Sequence, residues 1–422
     1  MAKDTTRKYC IFCNKTIENA LIFGKDDSNM GICWDCVQMC TKLVNNPPLN
    51  QSNNAVSVLP DEIKDTPIMK PTEIKAHMDQ YVIGQERVKK TLAVAVYNHY
   101  KRIWTIQADT DSTTTISKSN ILMIGPTGSG KTYMAQIMSK IMNVPFVIVD
   151  ATSITSAGYA GGDVEDILKK LLSAADGNVK RAERGIVFID EIDKIGQKSS
   201  NMLFDKDVSG VGVQQALLKL LEGAEVSLPM KPGFVLTNQE ITIHTDNILF
   251  ICGGAFDGIG KIIEKRTNKS TFGFEISDLQ DKTNTAPELM PDDLHQYGFI
   301  QEFIGRLPII VRLDELQTHD LVRILTEPKD SLVRQYQQLF QYDGVQLEFS
   351  EEALREIALI AKKEKTGARG LRSVMERVLN DTMYNIPSCN AKKVEVTALS
   401  VRNLEQPKVI YPSHKKERRG FN

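Results

Sequence analysis

No stretch of this 422-residue sequence approaches the ~18 consecutive apolar residues that a membrane span needs; runs such as Ile121–Ile124 and Ile248–Cys252 are far shorter. The first residues, MAKDTTRKYC, lack the apolar core of a signal peptide, so the chain is expected to be cytoplasmic, with no membrane partner. Net charge is almost absent: 52 Lys and Arg against 53 Asp and Glu leave −1. A dedicated nucleic-acid binder usually carries a basic excess, so the balance argues against nucleic acid as the partner. Neither a Gly-x-Ser-x-Gly elbow nor a His-Glu-x-x-His metal site occurs, so this chain is not expected to cut peptide bonds itself. There is no internal repeat either.

What is present is ordinary for a globular protein, with 41% apolar and 25% charged residues, which excludes disorder as the default state. Five stretches separate by composition. Residues 1–44 hold five of the seven cysteines, and residues 45–66, rich in Asn, Pro and Ser, suit a flexible linker. Residues 67–313 alternate short β runs with helical periods, residues 314–402 are mostly helical, and 403–422 form a basic tail.

In the middle stretch Ile121–Ile124, Phe146–Val149, Ile186–Ile189 and Ile248–Cys252 are continuously apolar, as parallel strands covered on both faces must be. Between them Val213, Ala216, Leu217, Leu220 and Leu221 follow helical spacing. The alternation predicts an α/β fold with a doubly wound parallel sheet and a smaller, mostly helical C-terminal domain. In the latter, Leu354, Ile357, Ala358 and Ala361 mark a helix with Ser350 as its N-cap.

Gly125-Pro126-Thr127-Gly128-Ser129-Gly130-Lys131-Thr132 matches the phosphate-loop pattern in full, directly after one predicted strand and at the start of a predicted helix. The glycines let backbone N–H groups curl around phosphate oxygens, and the helix N-terminus favours negative charge. Lys131 is expected at the β and γ phosphates of ATP and Thr132 on Mg²⁺. The run Ile186-Val187-Phe188-Ile189-Asp190-Glu191 places two carboxylates at the carboxyl edge of the sheet. Asp190 suits Mg²⁺, and Glu191 suits the water that attacks the γ-phosphate.

Cys10-x₂-Cys13 and Cys33-x₂-Cys36 have the spacing of two knuckles presenting four thiolates to one Zn²⁺. With all four positions filled, the metal is expected to be structural. Residues 1–44 carry six basic and five acidic side chains, which points to a protein-contact module rather than a nucleic-acid finger.

Taken in order, the four-cysteine finger, YVIGQ, GPTGSGKT, AGYAGGDVED, IVFIDEIDK, VGVQQALLKLLEG, ICGGAF, EFIGRLP and GARGLR resemble the ClpX family, the AAA+ ATP-dependent unfoldase subunits of the Clp protease. The resemblance implies a homohexamer that threads unfolded or tagged proteins, some brought by adaptors, into a Clp serine peptidase. It further implies adenine contacts from Val82 and Ile83, an arginine finger at Arg306, a sensor arginine at Arg369 and a substrate-gripping pore loop at Tyr159. The Phe272-Gly273-Phe274 tip stands where the family's peptidase-docking Ile-Gly-Phe occurs. The family's Arg-Lys-His loop is absent: the segment after the helix ending near Gly223 reads LPMKPGFVLTNQE. No polar sensor is evident at the end of the strand Ile248–Cys252. Two other readings stay open: a remodeller that works without a peptidase, and a nucleic-acid motor, which the charge balance and the Gly-Tyr-Ala-Gly loop oppose.

Overall fold

A run of Ile, Val and Phe buried on both sides can only sit inside a layered α/β structure, and the computed structural model has that form. It describes residues 69–108, 116–154, 164–196, 210–229, 240–269 and 289–412, with the backbone of four short N-terminal strands. Two compact units result, Met1–Pro67 and Ile68–Asn422.

In the first unit, β1 (Lys8–Cys10), β2 (Thr16–Ile17), β3 (Ile22–Phe23) and β4 (Met30–Ile32) form a sheet of order β2-β1-β4-β3. Backbone pairing sets Tyr9 opposite Met30 in parallel, and Ile22 opposite Ile32 in antiparallel. Cys10 ends β1, while Cys13, Cys33 and Cys36 lie outside the described residues.

The second unit is built on β5 (Ile121–Ile124), β6 (Phe146–Asp150), β7 (Ile186–Asp190), β10 (Leu249–Gly254) and β11 (Ile309–Arg312). They form an all-parallel sheet in the order β11-β5-β10-β7-β6. Side chains alternate between its faces. Leu122, Ile124, Val187, Ile189, Phe250 and Cys252 enter one core, and Ile121, Met123, Ile186, Phe188, Leu249 and Ile251 the other. Helix Lys131–Met142 covers the second face with Met134, Ala135, Ile137 and Met138, and helix Val164–Ala174 covers the first with Ile167, Leu168 and Leu171. Each fully buried large apolar side chain of these layers contributes ~1.5–3 kcal/mol, so the covered sheet holds its strand ends rigidly.

The helix expected around Val213 and Leu217 runs over Gly210–Glu222. Its Gln214 is fully buried because its amide donates to the Ile195 and Gly298 carbonyls and accepts from the Ile300 N–H. A hairpin follows, β8 (Glu225–Pro229) antiparallel to β9 (Glu240–His244). Most of the LPMKPGFVLTNQE segment lies outside the described residues.

From Leu316 onward a separate core gathers helices Thr318–Thr326, Leu332–Tyr342, Glu351–Lys363 and Ala368–Asn385. Ser350 caps the third of these, its hydroxyl accepting from the Ala353 N–H at 3.1 Å. The mostly helical expectation misses one feature, a sheet of β12 (Gln346–Phe349), β13 (Lys393–Val396) and β14 (Lys408–Ile410). β14 pairs antiparallel with β13, so this domain extends past residue 402, where composition alone places the tail.

Candidate functional site

The phosphate loop begins where β5 ends, and the Gly125 N–H donates to the Gly254 carbonyl at the tip of neighbouring β10 at 3.2 Å. Gly128 and Gly130 have φ of +76° and +99°, a region that costs a residue with a Cβ ~1–2 kcal/mol. The resulting curl opens helix Lys131–Met142, whose N-terminal N–H groups face the loop's interior. Lys131 is buried, and its ammonium donates to the Gly125 and Pro126 carbonyls at 2.6 and 3.1 Å. Burial lowers its pKa from the ordinary lysine value, and the carboxylates of Asp190 and Asp193 oppose that shift.

Asp190 closes β7 beside the loop. The Thr132 hydroxyl donates to its carboxylate at 3.1 Å, so the two predicted Mg²⁺ groups meet. Two hard oxygen donors side by side at a phosphate loop fit a Mg²⁺ ion that shares its remaining positions with water and substrate phosphate. Glu191 follows at φ +55°, unusual for a residue with a side chain, and its N–H donates to Asp190 at 3.0 Å. This turn leaves the Glu191 carboxylate exposed at the cavity rather than buried under the strand end.

The cavity has a volume of about 390 Å³ and is lined by Thr127 through Thr132, Asp190, Glu191, Val82, Ile83 and Arg369, residues drawn from distant parts of the chain. Gly125 and Pro126 sit behind it, binding Lys131. Val82 and Ile83 are almost fully buried and form its apolar wall together with Leu316 and Ile324 of the second core. That second core also touches the phosphate loop: the Ala368 N–H donates to the Gly128 carbonyl at 3.1 Å, and a Cβ on Gly128 would collide with Thr366. Arg369 therefore enters the cavity from the helix Ala368–Asn385, packed onto the loop itself.

Leu316, Ile324 and Asp193 are among the lining residues that the sequence did not single out. Leu316 and Ile324 carry no local signal, because their role depends on the second core folding over the first. Asp193 does have one, as a third acid just after the Asp190-Glu191 pair. Fully buried, it accepts from the Ala255 N–H at 3.3 Å and fills the space that a side chain on Gly254 would need. The end of β10 thus presents Gly253, Gly254 and Ala255, with Asp257 lining the cavity just beyond it.

Arg306 is not in this cavity. Its guanidinium binds the Glu222 carboxylate, with Nε and Nη2 at 3.0 and 2.9 Å, and about half of its side chain is exposed. The Asn120 amide donates to its carbonyl at 2.9 Å and fixes the backbone. Tyr159, Phe272, Gly273 and Phe274 lie outside the described residues, as does the side chain of Cys10. Among the described residues no helix is long and apolar enough to cross a membrane.

Residues 116–310 match the family model of an AAA domain of the Cdc48 subfamily, and residues 316–397 that of the C-terminal D2-small domain of ClpB protein. The boundary between the two matches falls where the first set of cores gives way to the second. The chain is 46% identical over 389 residues to an ATP-dependent Clp protease ATP-binding subunit ClpX of Treponema denticola, covering 91% of each chain. It is also 46% identical over 425 residues to the ClpX subunit of Borrelia duttonii, covering 98% of this chain and 96% of the relative. A phosphate loop, a paired acid strand end and an arginine-bearing second domain closed onto one cavity, with identity of this extent from end to end, make the chain a member of the ClpX family.

Proposed function

We propose that this chain is an ATP-driven protein unfoldase that assembles as a homohexamer, threads polypeptides through its pore and passes them to a Clp serine peptidase. The observation that carries it is the joining of Thr132 to Asp190 in a cavity that Lys131 enters from one domain and Arg369 from the other. Such an arrangement binds a nucleoside triphosphate and makes its phosphates part of the contact between two domains, so bond cleavage is felt as domain movement.

Each residue has a role in this reading. Val82 and Ile83, with Leu316 and Ile324, sandwich the adenine. Lys131 leaves the loop carbonyls for the β and γ phosphates, and Arg369 balances their charge from above. Bound Mg²⁺, held at Thr132 and Asp190, would neutralise phosphate charge and polarise the γ-phosphate. Glu191 orients the attacking water and draws off its proton. Arg306, turned away from its own cavity and pointing outward, suits the neighbouring subunit's γ-phosphate. Tyr159 grips substrate with an aromatic face that reads no particular sequence. Cys10, Cys13, Cys33 and Cys36 hold a structural Zn²⁺ that closes a module too small to be stable on its apolar core. Phe272-Gly273-Phe274 docks on the peptidase, its leading aromatic filling an apolar pocket.

The test is a trap. Glu191→Gln loaded with ATP and exposed to lysate is expected to retain polypeptides that are absent from the same protein in ADP. Adding Tyr159→Ala should release them, and in the otherwise native chain should lower the number of molecules unfolded per ATP consumed. Nucleic acid retained with no protein enrichment would overturn the reading. A second reading, peptidase-independent remodelling, rests on Phe272 standing where the family's docking tip carries Ile. Unfolding at full rate with no gain in proteolysis on adding a Clp peptidase would select it.

A further inference from the structure

Beyond its two apolar side chains, the strap that carries Val82 and Ile83 is tied at its start to the second domain and at its end to the segment where the first cores give way to the second. At its start, the Gln80 carbonyl accepts from the Lys329 N–H at 3.0 Å, and the Lys329 ammonium stands over the Tyr81 ring. At its end, Gln85 uses both atoms of its amide on one residue: Nε2 donates to the Asp314 carbonyl at 2.8 Å, and Oε1 accepts from the Asp314 N–H at 3.0 Å. A side chain thus reproduces the paired bonds of a β-ladder across 229 positions of sequence.

Asp314 occupies a particular place. The residue before it, Leu313, still donates its N–H to the Ile124 carbonyl of β5 at 2.7 Å and belongs to the sheet's core. Two residues after it, Leu316 belongs to the second core and lines the nucleotide cavity. The chain passes from one body to the other through Asp314 and Glu315. Gln85 itself sits at φ +56°, directly after Gly84 at +65°. A non-glycine residue kept in this region is held there by its surroundings: the Gln85 carbonyl accepts from the Lys89 N–H, and its side chain is bound to Asp314.

We propose that Gln85 is a positioning residue of the ATP site, a pin that makes adenine binding at Val82–Ile83 and the setting of the Asp314–Leu316 junction one event. This rests on the nucleotide reading of the cavity. Adenine entering between Val82, Ile83, Leu316 and Ile324 fixes the strap, and through Gln85 it fixes the junction. Loss of the pin leaves the phosphate subsite intact and frees the junction from control by nucleotide.

Gln85→Glu keeps the size but cannot donate to the Asp314 carbonyl, and Gln85→Met keeps the volume with neither bond. In the full-length chain carrying Glu191→Gln, ATP affinity is expected to fall about fivefold in Gln85→Glu and about thirtyfold in Gln85→Met, the worth of one and of two net hydrogen bonds. Amide hydrogen exchange gives the decisive readout. With Gln85 present, ATP should slow exchange at residues 127–135, 80–85 and 314–326. In the variants protection should persist at 127–135 and be lost at 314–326. Native affinity with full protection at 314–326 in Gln85→Met would overturn the pin. If ATP fails to protect 127–135 even with Gln85 present, the nucleotide reading itself is wrong, an outcome distinct from the first. Should Gln85→Glu lower the melting temperature sharply, Gln85→Met, which buries no new charge, carries the test.

Discussion

At the scale of single residues the site depends on charged groups kept from water. Burial lowers the Lys131 pKa against the pull of the Asp190 and Asp193 carboxylates, and the same physics operates on the opposite edge of the sheet. His99 is buried, its Nε2–H donating to the Asn247 carbonyl at 3.1 Å, and its Nδ1 has no partner. Burial, with the nearby cations of Arg102 and Lys118, pushes its pKa down from 6.5 to about 3. The folded chain therefore keeps His99 neutral where the unfolded chain protonates it. Stability is intact above the ordinary histidine value and falls as pH drops from 6.5 toward 3, by up to ~1.4 kcal/mol per pH unit. Lys118, pushed down to about 7 by burial, adds a slope of the same sign between pH 7 and the usual lysine range. Urea titrations at stepped pH should show a shallower acid limb in His99→Gln than in the parent chain. An unchanged limb would mean that other groups govern it. Nothing in the sequence marks His99, because its effect comes from where it is buried. Glu191 was legible as a pair with Asp190, and its left-handed backbone was not. Glu191→Gln is expected to slow hydrolysis about 10²- to 10⁴-fold with ATP binding retained, measured by phosphate release beside nucleotide binding.

At the scale of elements, what the sequence reveals follows from how much of each element's environment is local. Four of the five parallel strands are continuous apolar runs and were legible as such, and the helices over Gly210–Glu222 and Glu351–Lys363 were legible from period and cap. β12 and β13 read Gln-Leu-Glu-Phe and Lys-Val-Glu-Val, alternations too short to outweigh the helices around them, and β14 joins them only through pairing with β13. The hairpin of β8 and β9 is hidden for a similar reason: half its residues face out, and its register is set across the pair. One element contact can be tested directly. Gly128 meets Thr366 and Gly367 of the second domain so closely, at positive φ, that any side chain there forces the two apart. Gly128→Ala should weaken ATP binding at least about tenfold, since it combines a ~1–2 kcal/mol backbone cost with loss of the Ala368 bond to the loop. Gly258→Ala is a control for the backbone cost alone: it too has positive φ, but a Cβ there meets no neighbour. Equal ATP affinities in the two variants would show that the interdomain contact is dispensable.

At the scale of the whole molecule the open matter is Arg306, because a single subunit gives it nothing to do in its own cavity. Its bond to Glu222 is half-exposed, and such surface pairs contribute little, ~0–1 kcal/mol. On the proposed reading, Glu222 holds the guanidinium weakly enough to yield it to a more highly charged phosphate, and the Asn120 bond to the Arg306 carbonyl keeps the backbone in place. If that phosphate belongs to the next subunit of a ring, two defects should complement each other. Arg306→Ala binds ATP but lacks the group its neighbour needs, and Lys131→Ala lacks a working phosphate site but still carries Arg306. Each alone should hydrolyse ATP slowly. Mixed before assembly, they should recover activity at interfaces where an Arg306 from one chain faces the intact cavity of the other. The recovery should follow a bell-shaped dependence on the mixing ratio, because a closed ring fixes which neighbour faces which cavity. Arg306→Lys should not substitute, since a point charge lacks the two-pronged geometry of the guanidinium. A flat, inactive response across all ratios, with mixed rings shown by native mass measurement, would place Arg306 in the service of its own subunit. Its pairing with Glu222 would then be the contact to explain.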